Sequence, residues 1–375
     1  MNLPMDPDKI EGGVNSAVFN LIPGFHEIEG LDLHILSFNR GISKNISKQL
    51  FNNISIHFEP YKIFGINKID FVIKSTFFLG KYYRIIKPDI IHYQFHGFFL
   101  LMRIALLGRE PEEVITFHGL TKKEALYTKK YSVKIINVLN EIINHIVLPA
   151  NAIFISEYSQ QQYSKYKFKK TAIVFNSVNR DFFLNDPKLS NENTLLYVGK
   201  ISPLKNLHLL LSAIKRLKDE NIEFNLHVIG SFNNEVYKNI IMDYIGSNDL
   251  NSLVTFHGLK SQHEILGFLR KADALVVPSQ HENLPIVITE AMASGRVVIA
   301  SIVGGIPEMI ENKVTGYLFK PGNKQELCSI LKEYLNTNTT ILSQKAKNYA
   351  LLNFCPTTNA KKIYNFYIKL LTKPL

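Results

Sequence analysis

The sequence contains few cysteines and no long apolar run. Only Cys328 and Cys355 occur among the 375 residues, too few for a disulfide framework or a cysteine metal cluster, so a reducing compartment is favoured. No stretch of about 18 apolar residues is present, which excludes a hydrophobic membrane-spanning helix. The acidic residues near the amino terminus precede no apolar h-region, so a signal peptide is not expected. These absences predict a protein of cytoplasmic type.

The glycine signatures of the common phosphate-binding loops are missing as well. The sequence has no G-x-x-x-x-G-K-[ST], which excludes a P-loop, and no G-x-G-x-x-G after a strand, which disfavours a dinucleotide-dependent dehydrogenase. The formal net charge is nonetheless +11. Such a charge suggests a negatively charged partner: a nucleic acid, an anionic membrane or a phosphorylated small molecule.

Short apolar runs alternate along the chain with helical patterns, which predicts βαβ units around parallel sheets. The expected strands of the first half are Leu31–Phe38, Asp89–Tyr93, Val114–Phe117, Ala152–Ile155 and Ala172–Phe175. The expected strands of the second half are Thr194–Val198, Asn225–Ile229, Leu253–Phe256, Ala274–Val277 and Val297–Ala300. Helical stretches include Phe98–Leu107, Lys122–Ile146 and Thr357–Leu371. Two such series, separated by the polar stretch Asn179–Asn193, predict an α/β protein with two doubly wound domains.

Two lysines follow the first strand of the second half. Gly199-Lys200 ends the strand, and Lys205 precedes the helical run Leu207–Leu217. Two cations near a helix N-terminus suit a phosphate group. The alternative is that both lysines are solvated surface charge.

Two glutamates occupy the segment Val276–Pro307. Glu282 falls in the expected loop Ser279–Leu284, whereas Glu290 falls inside a helix that starts near Pro285 and stops at Gly295. Carboxylates so placed can accept hydrogen bonds from vicinal hydroxyls of a sugar or ribose. The backbone N–H groups within the stretch Asn283-Leu284-Pro285-Ile286, at the helix start, are left free for a phosphate. Taken singly, each glutamate also fits a helix cap or an exposed helix position.

The segment as a whole resembles the donor-binding signature of the retaining GT-B glycosyltransferases of family 4. Glu282 and Glu290 have the family's spacing of seven intervening residues. The flanking matches are Pro278-Ser279, Ala291-Met292-Ala293-x-Gly295, Gly304-Gly305-x-Pro307-Glu308 and Gly316. The resemblance is strong from Leu195 to Gly322 and weaker before it. It implies two Rossmann-like domains that face each other across a cleft.

The resemblance also implies roles for individual residues. Gly199, Lys200 and Lys205 match the positions that hold the donor diphosphate, although Lys200 replaces the usual arginine and lacks its bidentate fork. Glu290 matches the ribose-binding glutamate, and Glu282 matches the one near the transferred sugar. His257, in Phe256-His257-Gly258, resembles the loop that recognises the base.

Two motifs of the first half complete the resemblance. Glu11-Gly12-Gly13-Val14 resembles the glycine loop over the diphosphate, and Thr116-Phe117-His118-Gly119 resembles a strand-end histidine motif that faces the transferred sugar. His92 is a weaker candidate for cleft lining. The family opens with a buried strand before the glycine loop, and MNLPMDPDKIEGG contains no such strand.

The expected domains follow from this resemblance. Residues 1–182 form an acceptor-side domain that lacks its first strand, 183–355 a donor-binding domain, and 356–375 a helix that crosses back to the first domain. The expected catalytic residues are His118, Glu282 and Lys205. A nucleotide diphosphate sugar, with UDP or GDP, is the co-substrate, and neither a further cofactor nor a metal is required.

Three other functions remain open at this stage. A nucleotide-sugar-binding relative would bind donor without turnover, and a GT-B nucleotide-sugar epimerase would share the architecture without needing the paired glutamates. A nucleic-acid binder would explain the charge, but no helix-turn-helix, RNP or zinc pattern supports it.

The acceptor is the least determined substrate. Residues 1–180 hold 22 basic against 15 acidic residues, and the remainder holds 21 against 17, which favours a glycan or lipid-linked acceptor near a membrane. Thr121–Pro149 carries lysines beside apolar residues. It fits either a basic amphipathic helix resting on anionic lipid at the inner membrane face or a solvated helix over a domain core.

Overall fold

The computed structural model describes residues 3, 13–39, 42–60, 67–94, 111–118, 148–184 and 193–372. It divides into two compact units. The first contains Val14–Phe175 and Asn359–Leu375, and the second contains Asn176–Thr358 together with Gly13. Both are built of β-strands that alternate with helices, so the predicted α/β class is confirmed.

The first unit contains two separate sheets. Its strands are β1 (Leu33–Asn39), β2 (Ile46–Phe51), β3 (Ile54–Pro60), β4 (Ile90–Tyr93), β5 (Glu112–Phe117), β6 (Asn151–Phe154) and β7 (Lys170–Ile173). Its helices are α1 (Gly13–His26), α2 (Asn67–Ile86), α3 (Glu157–Gln162) and α11 (Pro356–Leu371), the last of which begins in the second unit. The strand orders are β1-β3-β2 and β4-β5-β6-β7, and every pairing except β2 with β3 is parallel.

Helix α11 belongs to the core of the first unit despite its place at the end of the chain. Its apolar residues Ala360, Ile363 and Phe366 are buried in one cluster with residues of α1 and of strands β3 and β5. The predicted helix Thr357–Leu371 is therefore present and starts one residue earlier.

The second unit is organised around one six-stranded sheet. Its strands are β8 (Thr194–Val198), β9 (Asn225–Ile229), β10 (Val254–Phe256), β11 (Ala274–Val277), β12 (Val297–Ser301) and β13 (Tyr317–Phe319). The helices are α4 (Leu207–Asp219), α5 (Glu235–Ser247), α6 (Gln262–Lys271), α7 (Ile286–Ala293), α8 (Ile306–Met309), α9 (Lys324–Leu335) and α10 (Thr340–Asn353). The order β10-β9-β8-β11-β12-β13, parallel throughout, is doubly wound, with its switch point between β8 and β11.

The apolar pattern of the sequence accounts for this sheet. β11 and β12 are buried along their whole length, as continuous apolar runs covered by helices on both faces should be. Helix α4 buries the leucines of one stripe and leaves Lys215 and Lys218 on the opposite face or at its rim. No helix in the described ranges is long and apolar enough to cross a bilayer.

All ten predicted strands are present, with ends shifted by two residues or fewer. β8, β9 and β11 have the predicted bounds. β2, β3 and β13 were not predicted: β2 mixes polar and apolar residues and is largely exposed, and β13 has only three residues. The predicted helix Phe98–Leu107 and residues 119–147, which include most of the basic segment, lie outside the described residues.

Three strands of the second unit end where their backbones come close together. Gly199, Gly230 and Gly258 follow β8, β9 and β10, and each has a positive φ. The N–H of Gly199 donates to the carbonyl of Ile229 at 3.0 Å, and the N–H of Gly230 donates to the carbonyl of Gly258 at 2.8 Å. A Cβ on Gly230 would lie 1.9 Å from the carbonyl oxygen of Gly199. The absence of a side chain at residue 230 therefore sets the path of the chain as it leaves β8.

We expect Gly230→Ala to lower the free energy of unfolding by at least ~2 kcal/mol, because the substitution adds both a backbone clash and a disfavoured φ of 142°. Gly267→Ala is the matched control. Gly267 lies within α6, where an added Cβ would meet no atom within 4 Å beyond the backbone of the helix itself, and alanine there should stabilise the protein by about 0.5–1 kcal/mol. Urea denaturation of both variants measures the difference, and equal effects would contradict the close approach.

Candidate functional site

The carboxyl ends of β8, β11 and β12 carry the polar residues that the sequence singled out in the second half. Lys200 and Lys205 follow β8, Glu282 follows β11, and Gly304-Gly305 follow β12. In an open α/β sheet the crevice at the switch point is the usual ligand site. The predicted residues of the second half therefore lie at one edge of one sheet.

Lys205 and Glu282 form an ion pair at this edge. Lys205 Nζ is 2.5 Å from Glu282 Oε1, and the Ser279 hydroxyl donates to the same oxygen at 2.8 Å. Ser279 is held in turn by the Ser301 hydroxyl, which donates to its carbonyl at 2.5 Å. The Glu282 side chain is 9% exposed and that of Lys205 29%. A carboxylate has about four acceptor sites and an ammonium three donors, so the pair retains capacity to bind a ligand.

A backbone contact joins the two loops that carry this pair. The N–H of Gln280 donates to the carbonyl of Leu204 at 2.8 Å, and the N–H of Gly305 donates to the carbonyl of Asn283 at 2.8 Å. These bonds fix the loop after β11 between those after β8 and β12. The lysine and the carboxylate are thus positioned by backbone as well as by their own contact.

Glu290 lies within α7 and has no basic side chain within ion-pair distance among the described residues. Its side chain is buried, with 5% of the residue exposed, and Gln262 Nε2 donates to its Oε1 at 2.7 Å. Burial raises the pKa of Glu290 to about 7, although the hydrogen bond from Gln262 opposes the shift. Near neutral pH this carboxyl therefore exists in both forms, as an acceptor and as a donor of hydrogen bonds.

The start of α7 lies close to both glutamates in sequence. Pro285 is the residue before the first helical turn, with φ −71° and ψ 119°, and Leu284 beside it is buried. The first amides of a helix have no intrahelical acceptors and carry a partial positive charge. This helix start, with Lys200 and Lys205 at the same sheet edge, can bind an anion of two or more charges.

His257 follows β10 and pairs with a second histidine. His227 Nδ1 and His257 Nε2 are 2.8 Å apart, and the His257 ring packs on Phe268 at 4.5 Å between centroids. Burial lowers the pKa of His257, and His227 and Lys260 lower it further. A neutral, partly buried imidazole beside an aromatic ring provides a flat apolar surface for a planar group.

In the first unit, His118 follows β5 and is held by a polar network. His118 Nε2 lies 2.8 Å from Gln94 Oε1. The adjacent strand carries His92, whose Nε2 is 2.6 Å from Thr116 Oγ1 and whose Nδ1 is 2.5 Å from the Tyr367 hydroxyl. Burial, with a smaller effect of His118, lowers the pKa of His92 to about 3. His92 is a partly buried neutral residue that links β4 to α11.

The glycine loop is described only in part. Gly13 is the first residue of α1, whereas Gly12 lies outside the described residues.

The structure also identifies site residues that the sequence did not assign. Gln262 is the hydrogen-bond partner of Glu290, Ser279 of Glu282, and Gln94 of His118. Ser279 was visible only as part of a matching motif. Gln262 and Gln94 are 28 and 24 residues from their partners, a separation for which a single sequence contains no signal.

Two family profiles match the chain and together cover nearly all of it. The profile described as Glycosyl transferases group 1 matches residues 179–352. The profile described as Glycosyltransferase Family 4 matches residues 11–182.

Individual relatives and solved structures agree with these profiles. An uncharacterized glycosyltransferase of Methanocaldococcus jannaschii is 28% identical over 87% of this chain and 85% of its own. The amylovoran biosynthesis glycosyltransferase AmsK of Erwinia amylovora is 26% identical over 64% of this chain and 60% of its own. Sucrose-phosphate synthase from Thermosynechococcus elongatus superposes with a TM-score of 0.77 at 19% identity, covering 96% of this chain and 94% of its own. Anabaena HepE in complex with UDP superposes with a TM-score of 0.74 at 17% identity, covering 98% of both chains.

The raised pKa of Glu290 predicts a pH-dependent stability. Below about pH 4.5 the Glu290 carboxyl is protonated in both the folded and the unfolded chain, so it does not change the free energy of unfolding. As the pH rises from about 4.5 through about 7, the carboxyl ionises more readily in the unfolded chain, and the free energy of unfolding falls. We expect wild type to lose about 3 kcal/mol relative to Glu290→Gln between pH 4.5 and 8. Urea denaturation at several pH values measures this difference, and a constant difference would refute the assignment.

The Lys205–Glu282 pair predicts an energetic coupling. Lys205→Met should destabilise the protein because it leaves the buried carboxylate of Glu282 without its cation, and Glu282→Gln should relieve that cost. A double-mutant cycle is expected to give a coupling of about 1 kcal/mol or more.

The control is the exposed pair Lys313–Glu333, at 3.0 Å with side chains 60% and 42% exposed. Its coupling should be below about 0.5 kcal/mol. Equal couplings for the two pairs would show that Glu282 is as well solvated as a surface residue.

Proposed function

Since the chain belongs to the group 1 glycosyltransferases of GT-B fold, we propose that it moves a sugar from a nucleotide diphosphate sugar to an acceptor hydroxyl with retention of anomeric configuration. The observation that carries this proposal is the Lys205–Glu282 ion pair at the carboxyl edge of the second unit's sheet, together with the buried Glu290, whose pKa is about 7, in the helix that follows. The second unit would then bind the donor and the first the acceptor.

The diphosphate of the donor would bind to the cations after β8 and to the start of α7. Lys205 supplies an ammonium that Glu282 orients, and Lys200 supplies a second positive charge at the exit of β8. The amides at the start of α7 add hydrogen-bond donors. Charge that develops on the leaving diphosphate is stabilised by these fixed groups, which is electrostatic catalysis. As a lysine, Lys200 contributes a point charge without a bidentate fork.

The two glutamates would bind different hydroxyl groups. Glu290, with its pKa near 7, can accept from one ribose hydroxyl as carboxylate or donate to another oxygen as acid. Glu282, which is ion-paired to Lys205, would orient the hydroxyls of the transferred sugar. The partly buried ring of His257 would pack beside the base.

The chemical step exchanges one C–O bond for another. The bond between the anomeric carbon and the β-phosphate oxygen breaks, and a bond from the same carbon to the acceptor oxygen forms. The acceptor proton passes to the leaving phosphate. His118, held by Gln94, would orient the sugar on the first unit's side of the reaction.

Surface polysaccharide or glycolipid synthesis is the biological setting that we propose. AmsK is named for amylovoran biosynthesis, and other relatives are named for colanic acid biosynthesis and for lipopolysaccharide N-acetylglucosamine transfer. Those activities belong to the named proteins, and they suggest a glycan or lipid-linked acceptor for this chain.

The donor is identified by thermal unfolding of the full chain with UDP, GDP, ADP or CDP and their sugar conjugates. A nucleotide present at about 100 times its dissociation constant should stabilise the protein by about 2.7 kcal/mol. We expect one nucleotide class to produce the shift, and Lys205→Ala and Glu290→Gln to abolish most of it.

Lys313→Ala is the matched control, because it also removes a lysine that is ion-paired to a glutamate, and it should retain the full shift. A shift that survives in Lys205→Ala would contradict the assigned diphosphate site. Proton NMR of the product formed from the identified donor tests retention. A product whose anomeric configuration is opposite to that of the donor would overturn the mechanism.

A further inference from the structure

Strand β7 and helix α11 of the first unit enclose a groove of about 300 Å³. β7 is the end strand of its sheet and pairs with β6. The polar residues that line the groove are Lys170 and Thr171 of β7 and Lys362, Asn365 and Lys369 of α11. The three residues of α11 are spaced by three and four positions, which places them on one face of the helix. The groove therefore lies between the outermost strand of the sheet and one helix face.

Every polar side chain in this lining can donate hydrogen bonds. The lysine ammonium groups have no lone pair and can only donate, and the Asn365 carboxamide has two N–H groups. The Thr171 hydroxyl accepts from Gln160 Nε2 at 3.2 Å, so its own proton is available to a ligand. No acidic side chain lines the groove, and none of the three lysines has an ion-pair partner among the described residues. The groove thus offers donors and positive charge to an acceptor of opposite charge.

The chain segments around the groove carry lysines and no acidic residues. No aspartate or glutamate occurs between Glu157 and Asp181, the interval that contains β7, and none follows Glu333. Four lysines fall within residues 165–170, and three fall within Pro356–Leu371. Like charges that are held close together repel one another. An anion that contacts several of these lysines at once would offset that repulsion.

The protein positions these ammonium groups but compensates them little. Lys170 Nζ donates to the backbone carbonyl of Lys369, so its ammonium group links β7 to the last turn of α11. That bond uses one of three ammonium protons and supplies no full negative charge. Reduced hydration of the ammonium group lowers the pKa of Lys362, which is the direction expected for a cation without a counter-ion.

We propose that this groove is a binding site for a phosphate group with two negative charges, carried by a soluble molecule or exposed at a lipid surface. A phosphate monoester presents three strong acceptor oxygens, so donors from β7 and from α11 can each reach a separate oxygen, whereas a carboxylate presents two oxygens in one plane. Lysine binds phosphate as a point charge, and three lysines suit a dianion. All residues of the groove belong to the first unit, whereas Lys200 and Lys205 belong to the second.

The test measures hydrogen exchange of the full chain with two probes. The soluble probe is inorganic phosphate, compared with sodium chloride at the same ionic strength. The lipid probe is phosphatidylcholine vesicles with about one fifth phosphatidate, compared with phosphatidylcholine alone. A probe at about ten times its dissociation constant should slow exchange in β7 and α11 by up to about tenfold. Because both elements lie in the first unit, this protection is read separately from that of the donor site.

Lys362→Gln is the test variant, and Lys361→Gln is the matched control. The two lysines are neighbours on α11 and both are exposed, but only Lys362 lines the groove. Each substitution removes one charge from the surface and should leave the fold intact. Lys362→Gln should raise the dissociation constant of the probe by about tenfold or more, since a hydrogen bond to a charged group is lost. Lys361→Gln should raise it by less than about threefold, since it removes only a screened charge.

The outcomes separate the two sources of phosphate. Protection by inorganic phosphate that Lys362→Gln weakens assigns the groove to a soluble phosphate, and the same result with phosphatidate vesicles alone assigns it to a lipid surface. Equal protection by chloride would show general screening and would overturn the proposal. So would equal effects of the two substitutions, or no protection of β7 and α11 by either probe.

Discussion

The candidate site depends on the burial of two carboxyl groups, of which Glu282 is paired with a cation and Glu290 is hydrogen-bonded to a neutral amide. The Glu282 side chain is 9% exposed, is ion-paired to Lys205 and accepts a hydrogen bond from the Ser279 hydroxyl. Glu290 accepts a hydrogen bond from the Gln262 amide and has no ion-pair partner in the part of the chain that the structure describes, and burial raises its pKa to about 7. A buried carboxylate without a cation is costly, and this cost is the reason that the pKa of Glu290 is raised. The carboxyl edge of the sheet thus holds the Lys205–Glu282 ion pair, and the helix that follows holds Glu290, which can gain or lose a proton near pH 7. This combination suits a ligand that carries both a diphosphate and several hydroxyls.

The backbone at Gly230 helps to position the site residues that follow β8. The carbonyl of Gly199 occupies the volume that a side chain on Gly230 would need. That approach directs the chain from β8 into the turn that carries Lys200 and Lys205. The turn is in contact with the loop of Glu282 through the bond from Gln280 to Leu204. Backbone contacts alone therefore place the turn that carries Lys200 and Lys205 at the carboxyl edge of the sheet.

The sequence predicts those parts of the structure that depend on local pattern. β8, β9 and β11 have their predicted bounds, and in β8 and β11 this follows from continuous apolar runs, which mark buried strands. The Pro285 and Gly295 signals predict the ends of α7 to within one residue. The burial of Glu290 and its bond to Gln262 were not predictable, since nothing near either residue in the sequence encodes a contact 28 residues away. The same holds for Gln94 and His118. β2 was not predicted because it is largely exposed, and an exposed strand needs no regular apolar pattern.

The two units follow the same alternation of strands and helices but differ in how completely their sheets are paired. The second unit has one sheet of six strands. In the described part of the first unit, β1 and β4 are end strands of two different sheets and line a common cavity. His92 of β4 lines the cavity and contacts Tyr367 and Thr116, and Gln94, two residues farther on, contacts His118. β4 therefore contributes both to the lining of the cavity and to the network that holds the strand-end histidine His118.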